Sequence, residues 1–183
     1  MDCEDLARRA SALEDDSSPG RARAAFFATG QCWQAIGETE RANRALERAE
    51  RAPAPGLPGQ GLMGEGDPTF LLARSHEARK EWKAALAAWE RWKPTSWCGN
   101  AVATLHSRRL QGIARCKWEM GEQTAAFEVL GTSHLFGMNG LDLETVRLWA
   151  DLAGRTKQPQ AELSKLIERL LAASKPPEEA SPS

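Results

Sequence analysis

One arrangement recurs three times along this chain and limits what it can fold into. Gly30, Trp33, Gly37, Ala42, Leu46 and Ala49 align with Ala73, His76, Lys80, Ala85, Trp89 and Trp92, and both sets align with Ala114, Lys117, Gly121, Ala126 and Leu130. Each unit carries a small residue in one helical stretch, a turn position, a small residue in the next stretch, and a large apolar residue four positions on. Two antiparallel helices approach closely only where the side chains at their crossing are small. The large residues then fill the gap to the next pair. The anchor alanines lie 43 and 41 residues apart (42 to 85, 85 to 126). The pattern predicts helix hairpins stacked in series.

Helix punctuation agrees with this. Ser18–Pro19 and Asp67–Pro68 fit an N-cap followed by a first-turn proline, Gln158–Pro159 is a weaker version, and Asp142 is placed to cap the stretch after it. The spacing predicts helices over 3–14, 19–35, 38–52, 68–79, 81–93, 100–119, 122–131, 142–153 and 159–173. No segment alternates with period two, and Asn139–Gly140 reads as a joint between helical segments. The fold class is therefore all-α. Gly30 and Gly112 fall inside helical patterns, where a glycine costs about 1 kcal/mol against alanine. Both mark tight helix crossings. The stretch 52–66, Pro/Gly-rich, reads as a loop. Residues 1–174 read as one helical array, and 175–183, with no apolar residue beyond Ala180, as a disordered tail.

Hydrophobic residues make up 42% of the 183, enough to bury a core. Net charge is −1, which gives no global attraction to nucleic acid or to an anionic membrane. Met1 to Glu14 is charged where a secretory leader would be basic and then apolar, and no run approaches the roughly 18 apolar residues of a membrane span. Cys3, Cys32, Cys98 and Cys116 form no C-x-x-C pair and match no zinc spacing. They read as reduced, packed thiols of a cytoplasmic protein, with no metal and no cofactor.

The run Phe26-x-x-Thr29-Gly30-x-x-Trp33-x-x-x-Gly37-x-x-x-x-Ala42-x-x-x-Leu46-x-x-Ala49, with Pro53 after it, resembles a tetratricopeptide repeat (TPR). Leu110-x-x-Ile113-Ala114, Gly121 and Ala126 resemble a second, and Leu72-Ala73, Trp82, Ala85 and Trp89 a degenerate one. The family repeats at about 34 residues; the excess here sits between units. The resemblance covers roughly 20–173 and implies a right-handed solenoid of about four antiparallel helix pairs with a C-terminal capping helix. Leu163, Leu166, Ile167, Leu170 and Leu171 would form the apolar face of that cap.

It also implies a concave face lined by the first helix of each pair, on which such proteins hold extended peptides or partner helices. Projection from the alignment puts Phe27, Gln31, Phe70, Arg74, Arg108, Gln111 and Arg115 there. The arginines suit acidic groups on a partner. Family members that grip a terminal carboxylate use Lys and Asn; Phe27, Gln31, Phe70 and Arg74 stand in the corresponding places and argue against that grip. Trp82, Trp89, Trp92 and Trp97 are either core or a partner-facing hot spot. His76, His106 and His134 belong to no catalytic or metal motif, and there is no Walker A loop, G-x-S-x-G or G-x-G-x-x-G. Arg41, Arg44, Arg48 and Arg51 interleave with Glu38, Glu40, Glu47 and Glu50, the pattern of helix-surface ion pairs. The expected function is a non-enzymatic scaffold or adaptor, its short array favouring assembly as a subunit of a larger complex. The other readings are a small regulatory or immunity-type protein capping a partner domain, and an unrecognised hydrolase or transferase.

Overall fold

The structure, a computed structural model, describes residues 2–14, 20–53, 66–94, 99–133, 135–137 and 140–173. Among these residues the chain forms nine helices: α1 (Cys3–Ala12), α2 (Arg21–Ala35), α3 (Thr39–Arg51), α4 (Pro68–Ala78), α5 (Trp82–Arg91), α6 (Gly99–Glu119), α7 (Gln123–Gly131), α8 (Leu143–Gly154) and α9 (Pro159–Ala173). The all-α expectation holds, and the helix spans lie within a few residues of those read from the sequence. One detail is corrected. Asn139–Gly140 does not simply join helices: Phe136 pairs with Leu141 and Gly137 with Gly140 in an antiparallel ladder, β1 (Phe136–Gly137) and β2 (Gly140–Leu141). A two-residue connection favours such a hairpin over a helical joint. Ser18–Pro19, His134, Trp97 and nearly all of the 52–66 loop and the 175–183 tail lie outside the described residues.

Three turns share one construction. Helices α2, α4 and α6 each end on a residue in the left-handed region: Gly37 at φ 81°, Lys80 at φ 60° and Gly121 at φ 86°. In each, that residue's N–H bonds back three positions, to Gln34, Glu77 and Trp118. The next N–H, from Glu38, Glu81 or Glu122, bonds back five, to Trp33, His76 or Lys117, all at 2.9 Å. This pair of bonds closes a helix C-terminus. The same glutamate opens the next helix, its carbonyl accepting from the N–H of Ala42 (2.9 Å), Ala85 (2.9 Å) or Ala126 (3.0 Å). One helix therefore ends and its partner starts within a single residue, which forces an antiparallel return.

The anchor alanines are fully buried, as are Ala73 and Ala114 facing them. A β-carbon at Gly30 would lie 2.8 Å from the Leu46 side chain and 3.3 Å from the Ala42 carbonyl oxygen. At Gly112 it would lie 2.2 Å from the Trp89 indole. Both glycines thus mark crossings too close for any side chain. Lys80 pays for its turn, because a left-handed L-residue costs about 1–2 kcal/mol where glycine does not. Its side chain is exposed. Lys80→Gly is expected to raise stability by about 1 kcal/mol, read as a higher urea midpoint; an unchanged or lower midpoint would show that the turn carries no such strain.

Packing follows chain order, each helix against its neighbours in sequence, with α8 also reaching α6. One core cluster runs from α1 to α6 around Phe26, Leu46, Leu72, Trp89 and Trp92; a second runs from α6 to α9 around Trp118, Phe127, Trp149 and Leu152. Arginines from neighbouring elements satisfy the last carbonyls of the second helices. Arg23 donates to Ala49 (3.3 Å) and Glu50 (3.2 Å), Arg109 to Trp89 and Glu90 (both 2.9 Å), and Arg169 to Leu130 (3.1 Å) and Ser133 (3.2 Å). Carbonyls at a helix end lack a partner within their own helix, though that of Leu130 also accepts from the Ser133 N–H (3.1 Å) and hydroxyl (2.6 Å). On α9 the expected apolar face is split. Leu166 is buried and Leu163 and Leu170 pack on the second cluster, but Ile167 and Leu171 are exposed. The 163–166–170 spacing keeps one stripe inward, and positions 167 and 171 roll past it.

The cysteine reading is also corrected. Cys3 and Cys32 form a disulfide that ties the start of α1 to α2, with 5.7 Å between their Cα atoms. A 29-residue separation leaves no local trace of such a pairing. Cys116 is a buried free thiol whose pKa is pushed up to about 12, chiefly by burial and then by the charge of Glu77. No described helix is long and apolar enough to cross a membrane.

Candidate functional site

The C-terminal half of α4, the first turn of α5, the last third of α6 and the second half of α8 enclose a cleft of about 330 Å³. Arg74, Arg115 and Arg155 line it together with Glu77, Glu119 and Asp151, and Trp82, Leu148 and Leu152 supply its apolar surface. Glu77 is the hub. Its side chain is only 11% exposed and lies 3.3 Å from Arg74 Nη1 and 3.2 Å from Arg115 Nη2. It also accepts the Trp89 indole N–H at 3.0 Å. A buried carboxylate is tolerable only with such donors. Here one group fixes two arginines and anchors the core tryptophan. On the far wall Arg155 reaches Glu119 at 2.9 Å and lies 5.2 Å over the Trp118 ring.

The helix register explains these placements. Arg74 and Glu77 are three apart on α4 and so share a face. Arg115 comes from the neighbouring α6, and Arg155 from the residue that caps α8. Of the sequence-predicted residues, Arg74, Arg115 and Trp82 meet in this cleft. Gln31 is exposed on α2 and Arg108 is half-buried on α6, and neither lines the cleft. Three expectations of exposure are corrected, at Phe27, Gln111 and Phe70. Phe27 is 8% exposed and belongs to the first core cluster. Gln111, 6% exposed, donates to the Thr145 hydroxyl at 2.9 Å and pins α8 to α6. Of the two readings open for the tryptophans, Trp89 and Trp92, each 1% exposed, take the core one. Phe70 is half-buried against those two rings, at 5.5 and 4.9 Å between centroids. For Phe27, Gln111 and Phe70 the physical reason is the same: projection from an alignment fixes the helix but not its rotation, and one residue is 100° of turn.

Sequence reasoning missed Glu77, Glu119, Asp151 and Arg155. The i,i+3 pair Arg74–Glu77 was a readable signal; the other three depend on how α8 docks on α6. A second recess, about 760 Å³, opens between α7, the α8–α9 turn and α9, and Arg155 borders both spaces. Phe127 and Trp149 form its apolar wall. His76 lies outside both, its Nδ1 2.6 Å from the Glu81 carboxylate. Among the described residues no three His, Cys, Asp or Glu side chains group to hold a metal ion. No protein-family model matches the chain, and comparison with curated proteins and with solved structures found no match.

Proposed function

We propose that this chain is a non-enzymatic, TPR-like scaffold, a right-handed solenoid of about four helix pairs with α9 as its cap, and that the α4/α6/α8 cleft holds a peptide or helix of a partner protein. The repeated turn at Gly37, Lys80 and Gly121, with its buried alanine, supports the repeat architecture. The cleft carries the binding reading, because first helices of three successive pairs bring Arg74, Arg115 and Arg155 around a half-buried Trp82. Each arginine already faces a carboxylate of the same chain. A partner's acidic groups exchange with those internal contacts, which favours specificity over raw affinity. The apolar part of the ligand covers Trp82, Leu148 and Leu152. Placement in the cytoplasm belongs to this reading; there the Cys3–Cys32 bond is a transient, redox-dependent one.

The test uses partners recovered by native affinity capture with the full chain. Arg74, the most exposed of the three, is replaced by Glu, and exposed Lys83 on α5 is reversed as the control. Arg74→Glu is expected to weaken binding at least tenfold and Lys83→Glu to leave it within twofold. Equal effects of the two changes, or turnover of a substrate by purified protein, would dismiss the reading.

A further inference from the structure

Helix α1 sits on α2 and α3 in an unusual way. It buries only Cys3 and Ala10. Its polar links to α3, with those of the turn after it, are exposed: the ion pairs Glu4–Arg41 and Glu14–Arg48, both at 2.6 Å, and a bond from Arg48 to the Ser11 hydroxyl at 3.2 Å. Water and salt weaken such pairs. A ten-residue helix is also marginal by itself. The disulfide is therefore its main anchor.

The seat beneath is chemically distinctive. Phe26 and Trp33 of α2 lie under guanidinium groups of α3, Arg48 at 4.2 Å from the first ring centroid and Arg41 at 4.6 Å from the second. Arg44 stands between them on the same face of α3, with no ion pair among the described residues. The seat is also underfilled. A recess of about 350 Å³ remains between Glu4 and Ala7 of α1 and the Phe26, Trp33 and Arg44 side, and another of about 270 Å³ lies by Glu14. Three arginines beside two aromatic rings, two of them stacked over the rings, fit a helix with three acids and larger apolar residues than α1 presents. Helix α1 satisfies two of the three.

We infer that α1 is a displaceable occupant of the α2/α3 groove, locked by the Cys3–Cys32 disulfide, and that reduction opens the groove to an acidic amphipathic helix of a partner protein. Cys32 is partly exposed, so the bond is reachable. A thiolate of a dithiol attacks one sulfur and forms a mixed disulfide. The second thiol resolves it, both cysteines leave as thiols, and the dithiol is oxidised to its cyclic disulfide. This surface is separate from the α4/α6/α8 cleft, so the two proposals stand or fall apart.

The probe is a fluorescein-labelled peptide of residues 2–14 carrying Cys3→Ser and Ala7→Glu, the second change setting a carboxylate towards Arg44. Anisotropy is measured with the full chain oxidised, reduced by dithiothreitol, and as Cys3→Ser. The reduced and Cys3→Ser forms are expected to bind at least tenfold more tightly than the oxidised form, and Arg44→Glu to remove that gain. Amide exchange in α1 is expected to speed at least tenfold on reduction while α4–α9 stay protected. Equal binding in both redox states, no effect of Arg44→Glu, unchanged exchange in α1, or loss of protection across α4–α9 would each overturn the inference.

Discussion

Replacing Trp89 with alanine is expected to lower the unfolding free energy by about 4 kcal/mol, the usual scale for a large aromatic removed from a packed core. The ring is almost wholly buried and meets Phe70 edge-on at 5.5 Å and Trp92 at 5.7 Å. Its far side lies against Gly112, where there is no room for a β-carbon. Its N–H is one of the donors that hold Glu77 in place. The loss therefore combines a cavity, a broken aromatic cluster and a weakened carboxylate. The partner change checks the geometry. Gly112→Ala alone should cost about 3 kcal/mol, because the indole it strikes cannot swing into solvent. In the Trp89→Ala background the same change should cost much less, since the obstructing atoms are gone. A urea-unfolding double-mutant cycle measures this coupling. Strict additivity, or a Trp89→Ala loss below about 1 kcal/mol, would mean that α5 and α6 do not cross here.

Loss of the Cys3–Cys32 bond carries the second large effect. A cross-link closing a loop of about 30 residues restricts the unfolded chain by roughly 3–4 kcal/mol. Cys3→Ser should lose about that amount in a urea titration, compared with the oxidised parent. The buried apolar surface of α1 is too small to compensate. Oxidised parent and variant with the same midpoint would show that the bond contributes nothing and that α1 is held by its other contacts.

Much of the fold was readable because it is encoded locally. Asp67 accepts from the Thr69 N–H at 2.8 Å and Asp142 from Thr145 at 3.2 Å, the caps that their positions promised. Gly30 and Gly112 marked crossings because nothing but close approach justifies a glycine in mid-helix. Other caps were less visible. Asp2 caps α1 by accepting from the Glu4 N–H, and α2 starts from Gly20 at φ 86°, two residues past the Ser18 cap read from the sequence. The arginine-rich N-terminal third does form ion pairs: Arg8 and Arg9 with Asp5 and Arg51 with Glu47 along their own helices, while Arg41 reaches Glu4 on α1, Arg48 reaches Glu14 just past it, and Glu50 receives Arg91 from α5. Such pairings depend on which faces meet in three dimensions. So do the disulfide, the Glu77 hub and the burial of Phe27 and Gln111. The candidate cleft was legible in its arginines and Trp82, and invisible in the acids that position them.

Sequence-neighbour packing has a consequence for how the molecule comes apart. Nearly every contact between the described helices joins elements close in sequence, which is low contact order, and such chains fold quickly and open piecemeal. The α8–α9 pair sits at one end, tied to the rest largely by the Gln111–Thr145 bond, by Arg169 and by one face of the second core cluster. It should fray before the middle of the array does, like the last link of a zip. Since α8 forms one wall of the α4/α6/α8 cleft, that cleft would lose its wall well before the remaining helices melt.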